Sequence, residues 1–207
     1  MPTPTAVRAY DERAPAPEET ETVTFGLGCF WGPSARFGAL EGVVRTRVGY
    51  AGGTERDPTY HALGDHTEVV QVDVDTSTLS LEALFEAVFR NHDPTQQVSK
   101  RQYQNVVLPA TADQRAAVSS VLAERGLDTD TVATRVERPG SFTLAEPYHQ
   151  KHALKGRPHL YDVFEAAEYT EAAVRESPAA AKLAGYAKGH DVAPARELGV
   201  PEAGPAP

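Results

Sequence analysis

Between residues 22 and 137 the apolar positions alternate between a period of two and a helical period, and the order of these segments restricts the fold more than any other feature. Thr22 to Leu27 reads as a strand, and Pro33 suits the first position of a helix over Ser34 to Leu40. Val43 to Tyr50 and Thr67 to Val74 read as the next two strands. Leu81, Leu84, Phe85, Val88 and Phe89 then follow helical spacing behind Ser80, a residue suited to cap the helix start, and the pattern ends near Asn91. A fourth strand is expected at Tyr103 to Leu108. Thr111 with Gln114 has the form of a capping box for a helix running to Gly126, before a last strand at Val132 to Glu137. The order β-α-β-β-α-β, followed by one more helix and strand, predicts an α+β fold. It is the split β-α-β (ferredoxin-like) two-layer sandwich, with helices on one face of a mainly antiparallel sheet.

A chain of 207 residues is sized for one such domain. Residues 1–20 and 188–207 each hold four prolines among Ala, Thr, Glu and Gly, which marks them as weakly ordered tails around a folded unit at 21–187. Beyond Tyr148 the pattern is helical and loop-rich, with the Ala-rich 179–187 as a last helix. The net charge of −9 disfavours nucleic acid as a partner. No stretch has the length and apolarity of a membrane span or a secretory signal, so the expected location is cytoplasmic and the expected state a monomer.

The chain has a single cysteine, which can form neither an internal disulfide nor a thiolate metal cage. Cys29 falls at the first strand-to-helix turn, where the N-terminal end of a helix favours the thiolate. A lone cysteine is more often a buried structural residue. The following Phe30 and Trp31, with glycines on both sides, fit an apolar pocket beside a nucleophile better than they fit core packing. Glu68 shares a strand face with Val70, Val72 and Val74 because the side-chain period is two. It is either an acid kept protonated by desolvation or a carboxylate bent out to solvent at the strand's start. Tyr60 and Tyr103 are potential phenol donors or half-buried packing residues. The histidines, among them His61, His66, His149, His152 and His159, lack a metalloprotease spacing, and no metal or other cofactor is expected.

Across residues 22 to 155 the motifs resemble the A-type peptide methionine sulfoxide reductases. Gly28-Cys29-Phe30-Trp31-Gly32 matches the family's nucleophile signature. Gly49-Tyr50-Ala51-Gly52-Gly53, Pro58-Thr59-Tyr60, His66-Thr67-Glu68-Val69-Val70, His92-Asp93-Pro94-Thr95, Gln102-Tyr103 and Tyr148-His149-Gln150 follow in the family's order. The resemblance implies reduction of the S epimer of methionine sulfoxide, free or in peptides, without a cofactor. It implies that Cys29 attacks the sulfoxide sulfur, that Phe30 and Trp31 hold the S-methyl group, that Glu68 protonates the oxygen, and that Tyr60 and Tyr103 hydrogen-bond it.

Three departures qualify that expectation. Ser34 stands where many members carry an acidic residue. The short segment Gln96 to Gln102 replaces a longer glycine-containing loop with a supporting Asp. No second cysteine is present to resolve the sulfenic acid, so the expected reductant is external: thioredoxin, a glutaredoxin or a small thiol. The competing expectations are a reductase of another oxidised-sulfur molecule or of peroxide, and a non-catalytic single-thiol redox sensor or binding protein.

Overall fold

The computed structural model describes residues 1–201. Six strands form one sheet in the order β5-β4-β1-β3-β2-β6. They are β1 (Glu21–Gly26), β2 (Val43–Ala51), β3 (Thr67–Val74), β4 (Val106–Val107), β5 (Arg135–Val136) and β6 (Thr143–Leu144). Only β4 and β5 run parallel, joined across helix α4 (Ala112–Glu124); all other pairs are antiparallel. The central order β4-β1-β3-β2, with α2 (Trp31–Ala39) after β1 and α3 (Leu81–Arg90) after β3, is the split β-α-β sandwich predicted above.

Register explains which residues line the core. Val48 pairs with Val70, Thr46 with Val72, and Phe25 with both Val70 and Val107, so these side chains share one sheet face. That face packs on Phe37 of α2, Leu84, Phe85, Val88 and Phe89 of α3, and Val118, Val121 and Leu122 of α4. Phe25 and Phe37 meet edge to face with centroids 4.5 Å apart. Both expected caps form: Ser80 Oγ accepts from the Ala83 N–H, and Thr111 Oγ1 from the Gln114 N–H. The Gln114 side chain completes the start of α4 differently from a capping box, accepting from the Ala110 N–H and donating to Glu21 and the Thr22 carbonyl.

Several boundaries differ from the sequence reading. Helix α2 begins at Trp31, two residues before Pro33, because the buried Glu68 carboxylate supplies a partner for the Phe30 N–H from outside the helix. Strand β2 runs one residue beyond Tyr50, to Ala51, and pairs with β6 at Gly49 and Tyr50. Tyr103 lies on the 3-10 turn Arg101–Tyr103 ahead of the two-residue β4, and the last expected strand contracts to Arg135–Val136.

The larger correction concerns the ends of the chain. Residues Pro4–Arg13 form helix α1, with Thr3 as cap and Pro4 at the first position, where proline is preorganised for a helix. Helices α5 (His152–Lys155), α6 (Pro158–Ala166), α7 (Glu171–Glu176) and α8 (Pro178–Ala187) follow the sheet. Val7 of α1, together with Ala195, Leu198 and Val200, is buried against Leu160, Phe164 and Leu183 in a second core. The Met1 ammonium donates to the Gly199 carbonyl at 2.6 Å. Of the prolines in the expected weakly ordered tails, Pro4 starts α1, Pro17 starts a 3-10 turn and Pro194 lies in a turn, and Val7, Ala195, Leu198 and Val200 are buried in the core of α6 and α8. Positions 202–207 of the expected C-terminal tail lie outside the described residues.

Candidate active site

Cys29 follows Gly28, whose φ of +74° lets the chain turn sharply from β1 into α2 in a conformation that side chains resist. The cysteine is solvent-exposed just ahead of the first turn of α2. Directly behind it Glu68 is 1% exposed near the start of β3, on the face that carries Val70, Val72 and Val74. Its Oε2 accepts from the Phe30 N–H at 3.1 Å and its Oε1 from Gln102 Nε2 at 2.7 Å. The Cys29 thiol lies beside the same carboxyl, and each acts on the other's ionisation.

Burial pushes the Glu68 carboxyl above its ordinary range, against the lowering effect of those donors. Cys29 is also raised, chiefly by desolvation and then by the neighbouring Glu68, although the Trp31 N–H and Lys188 favour the thiolate. The helix start alone predicts a lowered thiol pKa; here the carboxyl behind it and the partial burial outweigh that donor. The resting cysteine is therefore a thiol.

Tyr103 is raised above its ordinary value by burial and by Glu68, and Tyr60 and Cys29 also act on it, so the two phenols, the carboxyl and the thiol are neighbours. Tyr60 is carried by the loop between β2 and β3, and its N–H donates to Glu146 Oε1 at 2.9 Å. Glu146 Oε2 accepts from the Tyr50 hydroxyl at 2.7 Å. Phe30, 1% exposed, forms with Val48, Tyr50 and Ala145 an apolar cluster flanked by Trp31, Tyr60 and Leu63. The structure therefore brings together all six residues singled out in the sequence: Cys29, Glu68, Tyr60, Tyr103, Phe30 and Trp31.

It also adds residues to them. His149 is buried against the rings of Phe30, Trp31 and Tyr60, with centroids 5.1, 5.7 and 4.8 Å away. Its Nδ1 accepts from Trp31 Nε1 at 3.2 Å, which places the proton of the neutral ring on Nε2, and burial lowers its pKa so that the ring stays neutral. His152 stacks on Trp31 at 3.7 Å with the planes 5° apart. Gln102 and Glu146 are the other additions. The motifs Gln102-Tyr103 and Tyr148-His149-Gln150 pointed to two of these positions; Glu146 had no signal, since its role depends on a strand and a loop distant in sequence.

The shortened 96–102 segment still delivers its residues. Gln97 bonds the backbone of Asn105 and Ala133, and Arg101 ties the segment to the Tyr60 loop through the carbonyls of Gly52 and Asp65. Lys100 Nζ stands 4.6 Å over the Tyr103 ring. The rim of the site at Tyr103 thus carries a cation. Ser34 is buried inside α2 with its hydroxyl 3.4 Å from Thr46 Oγ1 and takes no part in the site.

A lone accessible thiol beside a buried carboxyl, with two phenols and an apolar aromatic cluster around it, is the site of a thiol-dependent oxidoreductase. Residues 21–182 match the family described as "Peptide methionine sulfoxide reductase". A peptide methionine sulfoxide reductase of Drosophila melanogaster is 36% identical over 171 residues, covering 81% of this chain and 68% of the fly protein. Peptide methionine sulfoxide reductase A5 of Oryza sativa subsp. japonica is 38% identical over 181 residues, covering 84% and 70%. The solved methionine sulfoxide reductase A of Corynebacterium diphtheriae superposes with a TM-score of 0.55 at 30% identity, over 68% of this chain and 76% of that one. The chain belongs to the peptide methionine sulfoxide reductase family.

Proposed function

We propose that this protein reduces the S epimer of methionine sulfoxide, free or in peptides, to methionine, with Cys29 as nucleophile and Glu68 as proton donor. The observation that carries the reading is the exposed Cys29 thiol just ahead of α2 with a carboxyl behind it that is 1% exposed and accepts from the N–H of the next residue, Phe30. A sulfoxide whose methyl group lies against Phe30 and Trp31 presents its oxygen to Glu68, Tyr60 and Tyr103. As Sγ attacks the sulfoxide sulfur, the thiol proton passes to Glu68 and on to the oxygen, relieving the charge that would build there. The sulfur–oxygen bond of the substrate breaks with the protonated oxygen leaving as water, and a water molecule then attacks Cys29 Sγ as the new bond between Sγ and the substrate sulfur breaks, so that methionine leaves and Cys29 becomes a sulfenic acid.

Two equivalents of an external thiol return the enzyme to its starting state, the first forming a mixed disulfide and water, the second releasing Cys29. Thioredoxin, a glutaredoxin and a small thiol are the candidate reductants, and the enzyme acts as a cytoplasmic monomer. Family membership favours this reading over a peroxide reductase or a sensor thiol. Turnover of separated S and R epimers with dithiothreitol tests it. The expected result is methionine from the S epimer only, abolished in Cys29→Ser; full activity in that variant would exclude a thiol mechanism.

A further inference from the structure

The end of helix α8 and the start of α6 meet beside the active site around a basic cavity. Helices α2 and α8 pack antiparallel: Lys182 Nζ donates to the carbonyls of Gly38, Leu40 and Val43 at the far end of α2, while Lys188 at the other end of α8 acts on Cys29 and on His152. Lys188 also lines a cavity of about 550 Å³ together with Arg157, His159, Leu160, Tyr186 and His190. None of the residues lining it is acidic. Among the described residues the side chains of Arg157, Lys188 and His190 make no hydrogen bond or ion pair. The N-terminal end of α6, capped by Arg157, borders the same space. Arg157 and Lys188 are exposed cations with no carboxylate partner, while burial, Arg36 and Lys188 hold His190 below its ordinary value, so it faces the space as a neutral ring.

The position suggests which anion. The packing of α8 against α2 places the Lys188 end of the cavity toward Cys29, where Trp31 carries His152 stacked on its face. The chain from Val192 to Val200 is folded back on α1 and holds no cysteine, so it cannot deliver a resolving thiol. A volume of this size suits a small molecule.

We propose that the Arg157–Lys188–His190 cavity binds the carboxylates of a low-molecular-weight anionic thiol and holds its sulfur for attack on oxidised Cys29. The inference rests on the sulfenic acid named above. The bound thiolate attacks Cys29 Sγ, the Sγ–O bond breaks and the oxygen leaves as water with protons from the site and solvent. A second molecule of the thiol then attacks the outer sulfur of the mixed disulfide, releasing Cys29 and the small-molecule disulfide.

The test uses the full chain with Cys29 oxidised by stoichiometric hydrogen peroxide, so that it does not depend on sulfoxide turnover. Consumption of the sulfenic acid is followed with glutathione, which carries two carboxylates, and with uncharged 2-mercaptoethanol. Arg157→Glu should slow the glutathione reaction by about tenfold and leave that of 2-mercaptoethanol unchanged, and Arg157→Lys should retain the wild-type rate with both. Equal loss with both thiols, or loss with neither, overturns the proposal. A second arm measures methionine released from free methionine S-sulfoxide in one turnover. It should be unaffected by Arg157→Glu; a drop there would assign the cavity to the substrate's own carboxylate and overturn the reductant assignment. Absence of methionine in the wild type would instead count against the sulfoxide reading and leave the thiol comparison readable.

Discussion

Cys29 and Glu68 each make the other's negative charge costly, and that mutual penalty is what prepares the site. With both groups raised above their ordinary values, one proton is held between them over a wide pH range. This one-proton state is the reactive one, since attack needs sulfur to lose the proton and the sulfoxide oxygen to gain it. The profile of kcat/KM should therefore be bell-shaped. Its acid limb should lie above the 4.5 of an ordinary glutamate and its alkaline limb above the 9.0 of an ordinary thiol. A plateau that continues to fall off below pH 9 on the alkaline side would contradict it. Glu68→Gln should lower kcat by about a hundredfold or more with little change in KM, because its proton matters in the transition state. The same substitution removes the charge that raises Cys29, so alkylation by iodoacetamide should begin at a lower pH than in the wild type. An unchanged alkylation profile would dissociate the two groups. At this scale the sequence revealed identities and faces: period-two alternation puts Glu68 on the apolar side. The direction of the thiol shift was not legible, because it depends on how close that carboxyl lies to Sγ across two strands.

Individual elements hold these residues in place. Helix α8 lies close against α2 because Gly185 has no side chain: a Cβ there would come within 2.6 Å of Ala39 Cβ and 2.9 Å of the Ala35 carbonyl. Gly185→Ala should cost about 1–3 kcal/mol by overpacking, read as a lower urea midpoint with the same m value. A midpoint at or above that of the wild type would show that the crossing has slack. The loop carrying Tyr60 is organised by Asp65, whose carboxylate accepts from the N–H groups of Thr54 and Glu55 and from the Thr54 hydroxyl. These bonds hold its pKa down to about 2. The lowered folded value contributes stability that is present above the unfolded pKa and lost as pH falls through the folded one, between about pH 4 and about pH 2. The difference in stability between wild type and Asp65→Asn should narrow across that window; a constant difference would mean that the contribution is not electrostatic. Long elements with strong periodicity, such as β3 and α3, were legible to within a residue. Short ones were not: the 3-10 turn at Tyr103 and the two-residue strands β4 to β6 owe their conformation to neighbours in the sheet and to Gln97 and Arg101, not to a local pattern.

Across the whole molecule, two cores share the work. The sandwich core builds the strand-to-helix turn that exposes Cys29, and the core of α1, α6, α8 and the C-terminal segment braces the helix on which that turn opens. The second core was missed because prolines and alanines near the chain ends look like disorder until partners bury them; Pro4 starts α1, and Val7 and Leu198 meet only in three dimensions. The single cysteine gives the account its sharpest test, since with no resolving partner the reaction must stop after one oxygen transfer. The decisive measurement mixes reduced enzyme with methionine S-sulfoxide in the absence of any reductant and follows methionine and the free thiol together. One methionine per chain, matched by loss of the Cys29 thiol and none from the R epimer, is the predicted result. Methionine release without loss of the thiol, or thiol loss without methionine, would contradict it.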